Sequence, residues 1–131
     1  EKAMIEGDLQ LSDLSTAWND KMQDLLGVVP PTDTVGCLQD IHWYSGAWGY
    51  FPTYTLGAMT AAQLYRAAVS QKNEIPGAIR EGDFQPLMTW LGQNVHGKAS
   101  SLSSDQILVS ATGSSLTTDV FKSHLFDRYL A

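Results

Sequence analysis

The residues best suited to chemistry lie in one stretch, Gly36-Cys37-Leu38-Gln39-Asp40-Ile41-His42-Trp43, and in the run Gly49-Tyr50-Phe51-Pro52-Thr53-Tyr54-Thr55-Leu56-Gly57 that follows it. An aspartate two positions before a histidine can fix the imidazole tautomer and hold the ring protonated, and nearby tyrosine hydroxyls can donate hydrogen bonds to a developing oxyanion. The same residues admit a plainer reading, in which Asp40 caps a turn and the aromatic side chains fill a core. Residue type and spacing leave both open.

Other chemistries find less support. Helical zinc enzymes set two histidines four apart around a glutamate, H-E-x-x-H, and none of His42, His96 or His124 sits in that pattern. No self-contained metal site is expected, and His96 and His124 are read as structural. Neither G-x-S-x-G nor C-x-x-C occurs, no glycine-rich phosphate loop precedes a helix, and Cys37 has no base beside it in sequence. Cys37 reads as a small buried hydrophobe. As the chain's single cysteine it excludes an internal disulfide framework and favours a reducing compartment.

The elements that must position these residues read as helices. Ser12 to Leu26 is amphipathic, with Leu14, Ala17, Trp18, Met22, Leu25 and Leu26 at three- and four-residue steps, a cap at Ser12 or Asp13 and a stop at Gly27. Pro30-Pro31 then enforces extended chain. Pro52 suits the first turn of a long helix from about Phe51 to about Gln71, whose alanine-rich middle favours close packing. Ile75-Pro76-Gly77 reads as a break followed by a short helix over Ala78–Glu81. Asp83 can cap a helix running to about Val95, and Gly97 to Ser104 reads as a loop. A short helix from Ser104 or Asp105 to Ala111, a separator at Gly113 and a last helix from Leu116 to Leu130 complete the chain. Alternating β-branched runs are missing, so the expected class is all-α and bundle-like, one helical region over residues 1–131.

Charge narrows the partners. Residues 1–40 carry eight acids against Lys2 and Lys21, whereas residues 41–131 hold six of each sign, so the formal charge of −6 belongs to the first third. No clustered Lys/Arg face is present to displace counterions from phosphates, which argues against nucleic acid. No run approaches the roughly 20 apolar residues that span a bilayer, and Glu1-Lys2-Ala3-Met4 lacks a signal peptide's layout, so a cytoplasmic chain with no membrane partner is expected. From Thr34 to Tyr65 the only formal charge is Asp40, and six of the thirteen aromatic residues fall within Trp43–Tyr54. That stretch is expected to be interior, filling a core or lining a pocket.

The stretch Gly36–Trp43 resembles the G-x-x-Q-D-x-H-W motif of the carboxypeptidase Taq family of zinc metallocarboxypeptidases, and Gly49–Gly57 is similar to the segment that follows it there. Flanking pieces agree: Glu1-Lys2-Ala3, Ile5-Glu6-Gly7, Trp18-Asn19, Asn94-Val95-His96-Gly97, Ala111-Thr112-Gly113 and Arg128-Tyr129-Leu130. The family's H-E-x-x-H and I-R-x-x-A-D motifs are not in this sequence. The resemblance therefore implies the C-terminal part of a larger, mainly helical enzyme, in which zinc or another divalent metal is held by an upstream catalytic half and none is expected here.

By the same resemblance the activity is removal of C-terminal residues from peptides. This segment would supply the wall that binds substrate and stabilises the transition state, and would be inactive alone. His42 would hydrogen-bond substrate or tetrahedral intermediate. Tyr54 or Tyr50 would donate to the oxyanion, while Gln39, Asp40 and Trp43 would orient His42 or hold substrate. The family's habit implies a homodimer. The contrasting expectation is an autonomous helical module that binds peptides or itself through the aromatic run.

Overall fold

The computed structural model describes residues 1–130, and its chain divides into two compact units, Glu1–Thr53 and Tyr54–Ala131. Helices and 3-10 turns are joined by loops, and no strand occurs among the described residues, as the absence of alternating runs predicts.

The first unit opens with α1 (Lys2–Glu6) and, after a 3-10 turn at Leu11–Asp13, continues into α2 (Leu14–Leu26). Gly27 ends α2 in the left-handed conformation with φ 71°, the predicted stop. Asp13 stands at the N-cap position of α2, but neither it nor Ser12 provides the expected side-chain cap. The apolar stripe is only half covered: Leu14, Ala17, Trp18 and Met22 are partly buried, while Leu25 and Leu26 are exposed. Beyond Pro30-Pro31 come two 3-10 turns, Asp33–Val35 and Cys37–Gln39, and then α3 (Ile41–Tyr44). Gly36 joins the two turns where a Cβ would lie 3.1 Å from both the Pro30 Cβ and the Thr32 carbonyl oxygen. A side chain there would push the turns apart.

The second unit is built on α4 (Pro52–Gln71), which begins two residues before the boundary. It continues through α5 (Ile75–Arg80), α6 (Gln85–Asn94), a kinked 3-10 segment at His96–Ser101, α7 (Ser104–Thr112) and α8 (Thr118–Tyr129). Ala68 of α4, Ile75 of α5, Trp90 of α6 and Ala111 of α7 form the core, flanked by Leu64, Ala67, Ile79, Leu87 and Leu91. Ala68 and Ile75 are wholly buried, so the alanine-rich helix does allow neighbours to approach closely. Burying Ile75 contributes about 1.5–3 kcal/mol. Trp90 also donates its indole N–H to Gln71 Oε1 at 2.8 Å.

Two expected breaks are helical instead. Pro76 sits in the first turn of α5, where its missing N–H would have had no intrahelical partner, so the helix starts at Ile75 rather than Ala78. The serine-rich segment after His96 coils into 3-10 geometry, with Ala99 at φ 45° marking its kink. Gly97 anchors that segment, since a Cβ on it would stand 2.7 Å from the Gly92 carbonyl oxygen. Ser103 then starts α7 through a capping box with Gln106.

The largest departure concerns the charge-poor stretch from Thr34 to Tyr65. Among its described residues only Gly36, Cys37, Asp40 and Gln63 are buried, while Trp48, Tyr50, Phe51, Tyr54 and Leu56 are each at least 43% exposed. Low charge marked an apolar surface here, and the expected interior is not where these side chains lie.

Candidate functional site

The Asp40–His42 pair is the centre of the site in the first unit. Asp40 occupies the N-cap of α3 in extended conformation, and its Oδ1 accepts the His42 backbone N–H at 2.9 Å. The same oxygen lies 3.0 Å from His42 Nδ1. A carboxylate only accepts, so Nδ1 must carry the proton. Nε2 is then the acceptor of the neutral ring and the second donor of the imidazolium. One oxygen thus starts the helix and fixes the tautomer, because a spacing of two brings the backbone and the ring of the same residue to it. Asp40's side chain is 3% exposed against 28% for His42, so the carboxylate is buried and the imidazole reaches the surface. Asp40 Oδ2 is buried without a hydrogen-bond partner among the described residues.

Aromatic rings complete the surroundings of His42. The Tyr50 ring lies nearly parallel to the imidazole, with centroids 5.2 Å apart at 19°, and Phe51 stands closer, at 4.5 Å and 59°. Thr53 donates both its backbone N–H, at 3.0 Å, and its hydroxyl, at 2.5 Å, to the Tyr50 carbonyl. Gly49, with φ 73°, turns the chain into this segment, and its N–H donates to Glu1 Oε2 at 2.9 Å.

The remaining predicted residues divide. Gln39 is exposed and donates its amide to the Thr34 carbonyl, which ties its own turn together instead of orienting His42. Trp43 is half-buried, edge-on to Trp18 at 5.8 Å and stacked on Trp48 at 6.4 Å, so it packs the unit. Its indole N–H and that of Trp18 are buried without partners among the described residues. Tyr54 belongs to the second unit, in the first turn of α4, and is 58% exposed. The fixed letters of the motif therefore differ in what they do. Gly36 allows close approach, Gln39 closes a turn, Asp40 caps and orients, His42 faces outward and Trp43 packs.

Phe51 is the residue that sequence reading did not single out. It belongs to the aromatic run, yet an apolar ring announces no chemistry of its own. A groove of about 820 Å³ lies elsewhere, between α4 and α8 of the second unit. Three alanines and two valines line part of it, with Arg66 and His124 at hand, and it holds none of the predicted site residues. Convergent polar chemistry distinguishes a site better than room, and that favours the Asp40–His42 pair.

Among the described residues no three His, Cys, Asp or Glu side chains come together as metal ligands. The residues present do not make a metal centre. No helix among them is long and apolar enough to cross a membrane. Cys37 is 4% exposed, and burial, assisted by the negative charge of Asp33, pushes its thiol pKa above the ordinary value. It is a neutral packing group, as expected.

Carboxypeptidase 1 of Bacillus subtilis is 38% identical over 129 residues, and thermostable carboxypeptidase 1 of Thermus thermophilus is 35% identical over 131. These alignments cover 98% and 100% of this chain but 26% of each relative, so the chain spans about a quarter of their length. Metallocarboxypeptidase 1 of Trypanosoma cruzi superposes with a TM-score of 0.94 at 36% identity, over 99% of this chain and 28% of that one. The M32 carboxypeptidase of Deinococcus radiodurans gives 0.93 at 33% identity, over 98% and 26%. Residues 1–129 match the family described as carboxypeptidase Taq (M32) metallopeptidase, and the chain belongs to that family.

Proposed function

We propose that this chain is the C-terminal region of a zinc-dependent carboxypeptidase that removes C-terminal residues from peptides, and that it supplies the substrate-binding, transition-state-stabilising wall. The observation that carries this reading is the Asp40–His42 pair, held at 3.0 Å inside the stretch whose motif resembles the family's, within the residues that match the family. The metal ligands and the base that activates water lie, on this reading, in an upstream catalytic half. The enzyme is cytoplasmic and homodimeric, and the segment alone is inactive.

In that picture Asp40 holds the proton on Nδ1, and His42 presents Nε2 to substrate or to the tetrahedral intermediate. Tyr54 or Tyr50 donates a hydroxyl to the oxyanion. Removing one such donor costs about 10²–10³ in kcat. In the whole enzyme, therefore, Tyr54→Phe is expected to lower kcat by about that factor. Tyr50→Phe, measured beside it, identifies which tyrosine is the donor, and an unchanged kcat in both removes the tyrosines from the catalytic set. The isolated 131-residue chain should release no C-terminal residue and bind no stoichiometric zinc. Either result to the contrary overturns the division of labour.

A second reading draws on the exposure of Trp48, Tyr50 and Phe51, at 43%, 46% and 43%. Rings presented in this way suit a module that binds peptides or itself. A monomer in sedimentation with no peptide affinity removes it.

A further inference from the structure

We infer that Tyr50 and Phe51 form a ring clamp that sets the plane of the His42 imidazole, which makes them positioning residues for the site. The inference rests on the reading of His42 as a substrate-facing group and adds to it how that group is aimed.

Asp40 holds His42 at one edge of the ring, through Nδ1. A hydrogen bond in the ring plane resists in-plane movement more than it resists tilting about that contact. The two aromatic contacts act on this softer motion. Tyr50 lies nearly parallel to the imidazole, at 19°, and Phe51 meets it at 59°. Rings inclined so differently to the same imidazole bear on its tilt from different directions.

The clamp is itself anchored. The Tyr50 carbonyl takes both hydrogen bonds from Thr53 at the start of α4, and Gly49 turns the chain into position with its N–H on Glu1. Phe51 has no polar side-chain atom, so what it gives His42 is geometry alone. Tyr50, considered above for its hydroxyl, contributes here through its ring, and substitution can separate the two roles.

The test reads His42 directly in the 131-residue chain, by long-range proton–nitrogen correlation of the imidazole. Set against these rings, its protons should be displaced upfield by ring currents, with Nδ1 protonated in the neutral ring. Phe51→Leu and Tyr50→Leu should each lose part of that displacement and broaden the signals, whereas Phe51→Tyr and Tyr50→Phe, which keep a ring, should retain it. In the whole carboxypeptidase Phe51→Leu should lower kcat about twofold to tenfold, the size of one aromatic contact, with KM little moved and Phe51→Tyr restoring turnover. His42 signals at wild-type positions in both leucine variants overturn the clamp. If the signals move while turnover does not, the substrate-facing role of His42 fails instead, and the clamp's role in turnover falls with it.

Discussion

Trp90 and Trp43 are the same side chain in two settings. Trp90, in the second unit, is 3% exposed, packs with Ala68, Ile75 and Ala111, and has its indole N–H on Gln71. Trp43, in the first, is half-buried among other tryptophans with a buried N–H that no described residue accepts. The second unit builds a core from four helices and gives buried polar groups such as the Trp90 indole and the Gln63 amide their partners. The first is largely short turns, buries little besides Gly36, Cys37 and Asp40, and leaves polar atoms unanswered. Yet the first holds the Asp40–His42 pair. The packed core and the candidate site are thus separated along the chain, with the candidate site where the intrinsic packing is thinnest.

The sharpest way to break this contrast is to remove both tryptophans in turn. Trp90→Ala should cost about 3–5 kcal/mol, the usual penalty for emptying a well-filled core position of a large aromatic. Trp43→Ala should cost clearly less, because it vacates a half-exposed place and also deletes an unsatisfied donor. Urea unfolding of the two variants measures the difference. Equal losses would mean that the first unit is as well packed as the second.

A smaller effect probes the polar side of the second unit. Gln63, 2% exposed on α4, donates its amide to the carbonyls of Ser114 and Ser115 and the hydroxyls of Thr112 and Ser114, at 3.0–3.2 Å. Its Oε1 accepts the Thr117 N–H at 3.1 Å, so one side chain ties the turn between α7 and α8 to α4. Gln63→Leu keeps the volume and strands those groups, at a cost of about 1–3 kcal/mol. Hydrogen exchange at the Thr117 amide should accelerate with it, and unchanged exchange there would show that the turn holds itself.

How much of this is legible in sequence follows the same division. Gly27, Pro52 and Gly113 mark helix ends because glycine tolerates the left-handed exit and proline the first turn, and those limits fall within a residue or two. The 3-10 turns carry no readable periodicity, since with three residues per turn most of them are one turn long and repeat no face. Pro76 reads as a breaker because the sequence does not say which turn of a helix it will occupy. The Asp40–His42 contact is legible from a spacing of two. Gln39's bond to Thr34 is not, because it depends on the path of a loop. Low charge between Thr34 and Tyr65 signals apolar surface correctly and its burial wrongly, for hydropathy alone does not reveal whether a partner surface is at hand.

The smallest expected effect concerns Cys37, the part of the first unit that behaves most like the core of the second. Its pKa is raised by burial first and by Asp33 second, so the folded chain holds the thiol proton more tightly than the unfolded one. Stability from this source is complete below the ordinary thiol pKa of about 8.5 and is lost as pH rises through the elevated folded value. The urea midpoint of the wild type should therefore decline across that alkaline window by more than that of Cys37→Ala, which has no proton to release. Alkylation by iodoacetamide near neutral pH should be far slower in the folded chain than in urea, because the thiol is both covered and protonated. A folded chain that alkylates as fast as the unfolded one would show that the turns around Gly36 open freely. The Asp40 anchor three residues on would then be less fixed than its geometry indicates, and the site would depend on contacts from outside this segment to hold its shape.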